Sequence, residues 1–90
     1  MVHVLVRHNV EDYSKWISVF NEFSTFRSES GSKGGKVFQS ADNPNEVFVL
    51  LEWDSLKNAQ NFAQSDRLKE GMQEAGVVGK PEIYFIEEVI

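Results

Sequence analysis

Two histidines five residues apart, His3 and His8, are the only imidazoles in a 90-residue chain that has no cysteine. Imidazole titrates near neutral pH, so each is a candidate general base and each has the nitrogen to ligate a metal. The missing thiols exclude disulfides, thiolate zinc sites and a cysteine nucleophile. His8, at the end of a strand among apolar neighbours, is the expected catalytic residue, because a neutral imidazole there can deprotonate a phenol or an activated carbon acid. The plainer reading makes it a half-exposed histidine capping a packed core. His3 falls near Glu52 and Glu88 if the central strands pair antiparallel, and that trio has the ligand types for a divalent metal. No His-x-His or His-x-x-x-His spacing supports a metal, so a hydrated charge cluster is the expectation. No metal or other cofactor is assigned.

The residues that could surround a substrate are rings. Tyr13, Trp16, Ile17, Phe20 and Phe23 recur at the three-and-four spacing of one helical face. Trp53, Phe62, Met72 and Phe85 face the same space from other segments. So many bulky groups either fill the space between helices and sheet or leave a ring-lined pocket with one titratable group at its mouth. The expected ligand-binding set is Tyr13, Trp16, Phe20, Trp53, Phe62, Met72 and Phe85, for a small aromatic molecule. Rings at helical spacing are more often core, and Met72 more often fills a gap. Ser32-Lys33-Gly34-Gly35 lacks the spacing of a nucleotide loop and precedes a strand, so it reads as a flexible connection bordering the pocket.

Positioning these groups falls to a repeated unit. Val2-His3-Val4-Leu5-Val6 returns as Val47-Phe48-Val49-Leu50-Leu51, 45 residues on, each followed by a polar break and a helical pattern. Asp12 caps the first helix, which fades over Ser28 to Ser30 and closes at Gly31. Lys36 to Ser40 reads as a short strand, Asp42-Asn43-Pro44-Asn45 as a turn and Glu46 to Trp53 as the strongest strand. Asp54 or Ser55 caps a second helix, interrupted at Ser65-Asp66 by a fresh cap. Gly76 and Gly79-Lys80-Pro81 end it, and Glu82 to Val89 is the last strand. The fold class is α+β: a single ferredoxin-like βαββαβ domain spanning residues 1–90. Right-handed crossovers give a four-stranded antiparallel sheet, order 4-1-3-2, with both helices on one face.

Alternation divides the sheet into two sets of side chains. Val4, Val6, His8, Val49, Leu51, Trp53, Ile83 and Phe85 should lie under the helices. His3, Leu5, Arg7, Phe48, Leu50, Glu52, Tyr84, Ile86 and Glu88 form the other face, which mixes large apolar groups with charges. An apolar patch of that kind marks an interaction surface. A homodimer with sheets packed face to face buries the apolar middle and pairs the charges, Arg7 among them. A chain this short buries only about two-thirds of its unfolded surface, so a second copy is a natural way to enlarge the core.

Charge excludes other partners. The net charge is −5; residues 46–90 hold four basic and nine acidic side chains, against five and five in residues 1–45. Such a surface repels phosphate backbones and anionic lipid. An RNA-recognition module shares the element order but needs exposed rings in a basic surround, whereas here Phe48 sits between Glu46 and Glu52. The longest apolar run, Val47 to Leu51, is too short to span a membrane. The opening Met1-Val2-His3-Val4 has neither basic flank nor cleavage site, so a cytoplasmic setting is expected.

The whole chain resembles the antibiotic-biosynthesis-monooxygenase group of the dimeric α+β barrel superfamily. The likeness lies in Val10-Glu11-Asp12-Tyr13-Ser14-Lys15-Trp16, in Glu52-Trp53, in the broken second helix at Ser65-Asp66-Arg67-Leu68 and in Ile83-Tyr84-Phe85-Ile86-Glu87-Glu88. The resemblance implies a homodimer whose sheets form a shared barrel, with a ligand cavity in each subunit between sheet and helices. Members oxidise polycyclic phenols with dioxygen and no metal or flavin, degrade haem, or cyclise polyketides; some have no known activity. Haem degradation relies on a histidine from the second helical region, and residues 55–76 contain none. A cofactor-free monooxygenase or cyclase therefore fits best, with His8, Trp16 and Trp53 available. The alternative is a non-catalytic ligand-binding or assembly module.

Overall fold

The computed structural model describes residues 1–90. Its first strand, β1 (Val2–Val10), runs into Asp12, whose carboxylate accepts the N–H of Ser14 at 3.0 Å and so starts α1 (Tyr13–Glu22). This satisfies one of the amide groups that a helix start leaves open and stabilises the helix by about 1 kcal/mol. The predicted single helix is two: at Phe23 the backbone leaves helical geometry, and α2 (Ser24–Ser30) continues to Gly31. Gly31 takes φ 119°, and a Cβ there would lie 2.6 Å from Asp54 Oδ1, so the predicted glycine stop also makes room for a neighbouring chain segment.

Next come β2 (Ser32–Gln39) and β3 (Glu46–Trp53). Ser32 to Gly35, read as a loop, is the first half of β2, paired with Trp53 to Leu51 through a register irregularity. Ser55 then caps α3 (Leu56–Ala63) by accepting from Asn58 N–H at 3.1 Å. Ser65 caps α4 (Asp66–Glu74) by accepting from Leu68 N–H at 3.2 Å. The last strand, β4 (Val77–Glu87), starts five residues earlier than predicted. Gly79-Lys80-Pro81 does not end the helix, because it lies inside this strand as an irregularity, with Gly79 at φ 73°.

The four strands form one antiparallel sheet in the order β2-β3-β1-β4, which is the predicted 4-1-3-2 read from the other edge. The two copies of the repeated motif are the central pair, with Leu5 opposite Leu50 and Val6 opposite Val49. Burial alternates strictly along β3, where Val47, Val49, Leu51 and Trp53 are buried. Together with Val4, Val6, Val10, Trp16, Ala59, Phe62 and Ala75 they make the core between sheet and helices. The opposite face of the sheet is uncovered.

Candidate functional site

β1 carries His8 to the helix side, where it is 4 % exposed. Its strand partner on β3 is Val47. On β4 the register jumps from Arg7–Glu82 to Asn9–Val78, so Gly79, Lys80 and Pro81 bulge across from the single residue His8. Bulges of this kind bend a strand and re-aim side chains, and they gather beside functional positions. The predicted helix stop is thus the local reason the ladder opens next to the imidazole.

The ring of His8 meets Trp16 edge-on, with centroids 5.5 Å apart. Trp16 stacks on Phe20 at 5.0 Å, and the Arg27 guanidinium lies over the Phe20 ring, 3.7 Å from its centroid. A column of rings therefore runs from imidazole to guanidinium, built by α1 and α2 at the steps 16, 20 and 27. Nδ1 of His8 is buried and has no hydrogen-bond partner. Burial disfavours the imidazolium and holds the His8 pKa below its ordinary value, so the ring is neutral at pH 7.

This column walls a cavity of about 80 Å³ lined by 14 residues, of which only His8 and Arg27 carry strongly polar side chains. Val6, Val49 and Leu51 form its floor on the sheet, and Phe62, Leu68 and Met72 close it from α3 and α4. Gly71 admits Phe23 to the same wall: a Cβ there would lie 2.6 Å from the Phe23 ring. Phe20, Arg27 and Leu51 also border a second, open groove of about 530 Å³, whose other walls are Ser24, Ser28 and the β2 segment from Ser32 to Gly35 with Val37. The expected bordering role of Ser32-Lys33-Gly34-Gly35 is met, but by a strand rather than a flexible connection.

Of the residues picked from sequence, His8, Trp16, Phe20, Phe62 and Met72 come together at the cavity. Tyr13, Trp53 and Phe85 do not. Tyr13 packs beside Trp16, with ring centroids 6.0 Å apart, and is not in the cavity lining. Trp53 is wholly buried at the end of β3 against Phe62, 4.9 Å away, with its indole N–H unpartnered. Phe85 lies on the edge strand and is 39 % exposed. Phe23, on the predicted ring face but outside the expected ligand-binding set, joins the lining, and so does Arg27, which the sequence reading did not name. The signal for Arg27 lies in the spacing itself, since it is the next step after Trp16, Phe20 and Phe23 on a stripe otherwise made of rings.

His3, on the other face, is adjacent to Glu52 as the register predicted, with Nε2 3.6 Å from the carboxylate and Nδ1 3.1 Å from the Met1 carbonyl. Directly across on β4 His3 faces Ile86, while Glu88 donates its N–H to the same Met1 carbonyl at 3.5 Å and makes no ion pair with the imidazole. No group of three or more histidine or carboxylate side chains is placed to hold a metal.

Solved structures share this architecture. A candidate antibiotic biosynthesis monooxygenase from Bordetella bronchiseptica superposes with TM-score 0.84 at 14 % identity, over 99 % of this chain and 97 % of its own. SnoaB, a cofactor-independent oxygenase from Streptomyces nogalater, gives 0.75 at 13 %, over 99 % and 95 %. A conserved protein from Methanosarcina mazei gives 0.76 at 18 %, over 98 % and 92 %. At such identities the likeness speaks for the fold alone. No curated protein matches the sequence. The sequence model of the antibiotic biosynthesis monooxygenase family does match, over residues 1–74, and the chain belongs to that family.

Proposed function

We propose that this protein is a cytoplasmic, cofactor-independent monooxygenase that binds a small aromatic or polyketide-like molecule between its sheet and its helices. The observation that supports this most is His8: a neutral imidazole, its buried Nδ1 without a partner, in the wall of a cavity whose lining is otherwise almost entirely apolar. A carbon acid activated by a neighbouring aromatic ring gives its proton to the imidazole. The carbanion left behind passes an electron to dioxygen, and recombination makes a carbon–oxygen bond and a hydroperoxide. The imidazolium's proton completes that hydroperoxide. The freed imidazole then takes the second hydrogen from the same carbon as the O–O bond breaks, and the hydroxide released leaves with that proton as water, giving the carbonyl. The sum converts CH₂ and O₂ into C=O and H₂O, so the substrate supplies every electron. The dry lining protects the carbanion from reprotonation by water.

The cavity is smaller than the roughly 150 Å³ that accepts a benzene ring. A substrate therefore enters with Met72 moving aside, since a thioether chain repacks readily, and with part of its body in the adjoining groove. The same small volume favours a second reading, a non-catalytic ligand-binding or assembly module. Oxidation of an anthrone in air-saturated buffer separates them. On the enzyme reading, wild-type protein forms the quinone, while His8→Ala binds the anthrone and turns it over at the background rate. Equal rates in both proteins would remove His8 from the reaction, and binding without turnover by wild type would favour the module.

We further propose that the working unit is a homodimer joined through the uncovered sheet face. Leu5, Phe48 and Leu50 are half-buried there, Tyr84 and Ile86 are exposed, and Arg7 bridges Glu46 and Glu82 beside them. Burying such a patch against a copy of itself removes apolar area from water and leaves the charges at the rim. Sedimentation at low micromolar concentration should give twice the 10.3 kDa chain mass. A single-chain species there would remove the proposal.

A further inference from the structure

Arg27 is the one arginine of three with no carboxylate partner. Arg7 pairs with Glu46 and Glu82, and Arg67 with Glu70, but no acidic group lies within ion-pair distance of Arg27. It is nonetheless half-buried, its head held flat on Phe20 while one N–H donates to the Phe20 carbonyl at 2.6 Å. A guanidinium has five N–H donors, so most of them remain for something else. Burial without a counter-charge pulls its pKa below the ordinary value, which means the site holds the cation at some disadvantage.

Its position gives that arrangement a direction. Arg27 belongs to the apolar cavity and to the open groove at once. The groove contains no acidic residue in a chain with 14 acids and 9 bases; it offers a second cation, Lys33, the hydroxyls of Ser24, Ser28 and Ser32, and the backbone of Gly34 and Gly35. An acidic protein has thus gathered two cations and no acid in the groove that adjoins its apolar cavity.

We propose that the ligand is an aromatic carboxylic acid whose ring occupies the cavity beside Trp16 and whose carboxylate pairs with Arg27 at the junction with the groove. This rests on reading the cavity as a ligand site and adds the charge of the ligand to it. A planar guanidinium pinned on a ring matches a carboxylate in two parallel hydrogen bonds, and a partly desolvated pair of that kind is stronger than its surface equivalent. The carboxylate also fixes which end of the molecule faces His8, because the two polar side chains stand at opposite ends of the ring column. Arg27 is in this sense a specificity-determining residue, and His8 remains the proton acceptor.

The test uses naphthalene-2-carboxylate and the neutral naphthalene-2-carboxamide, titrated at low salt and followed by tryptophan fluorescence. Wild-type protein should bind the carboxylate about tenfold or more tighter than the amide, the scale of a charge-assisted hydrogen-bonded pair. Arg27→Gln should erase that preference, Arg27→Lys should keep part of it, and Lys57→Gln, on the exposed side of α3, should leave it intact. If Arg27→Gln is too unstable to measure, Arg27→Lys and the wild-type comparison still decide. Equal binding of the two probes by wild type, or an unchanged preference in Arg27→Gln, overturns the proposal while leaving the cavity a ligand site. Failure of both probes to bind overturns the proposal and the ligand-site reading together.

Discussion

His3 and His8 share a strand and are nearly equally buried, at 8 % and 4 % exposed, yet they live under different chemistry. His3, on the uncovered face, finds a carbonyl for one ring nitrogen and a carboxylate near the other. His8, on the covered face, meets the edge of an indole and no partner at Nδ1. The contrast teaches that depth alone does not make a histidine reactive. A partnered imidazole has its protons placed by its neighbours, whereas His8 meets an apolar surround that disfavours its charged form.

The sharpest way to break the comparison is turnover. His8→Ala should lower anthrone oxidation by about 10² to 10⁴, the usual worth of a general base, and His3→Ala should change it by less than about twofold. Comparable losses in both would show that the rate follows the stability of β1 rather than one imidazole. Next in size is the ring that holds His8. Trp16→Ala removes a buried indole that touches both His8 and Phe20, and denaturant unfolding should show a loss of about 3–5 kcal/mol.

A smaller effect comes from acid. Burial sets the folded pKa of His8 below the unfolded value of roughly 6.5. Unfolding therefore takes up a proton between the two values. Stability from this group is complete above the unfolded pKa and declines as pH falls through the window, with a slope of at most about 1.4 kcal/mol per pH unit. In His8→Gln the dependence just below pH 6.5 should flatten, while in His3→Gln the decline should persist. A flat wild-type profile would mean that His8 protonates without resistance. The least effect belongs to Glu52→Gln: the pair with His3 is 3.6 Å long and its carboxylate is solvent-accessible, so thermal melting should register under about 1 kcal/mol.

The site was partly legible before folding. The step 13, 16, 20, 23 gave a ring face, and alternation along β1 placed His8 on it, since helical and strand periods follow from backbone geometry alone. What those periods do not carry is distance along the face. Trp53 and Phe85 are on the correct side of the sheet, yet one is sealed at the end of β3 and the other sits on the edge strand, outside the cavity. Arg27 continues the spacing of the ring face, but its charge departs from the apolar pattern that marks a face. Gly79-Lys80-Pro81 misled because a helix stop and a strand bulge ask for the same residues: a positive φ and a missing N–H.

Apart from the helix break at Phe23 and the starts of β2 and β4, the amino-acid order by itself determined the succession of strands and helical regions, the caps at Asp12 and around Ser55 and Ser65, the glycine stop at Gly31, the strand order and the two faces. Each of these follows from interactions within a few residues or from the chirality of crossovers. Tertiary structure alone decided that β4 bulges opposite His8, that Phe23 reaches the cavity over Gly71, and that Arg27 ends a column of rings with no acid beside it. Those outcomes depend on how segments far apart in sequence pack against one another, and no local pattern encodes the space left between them.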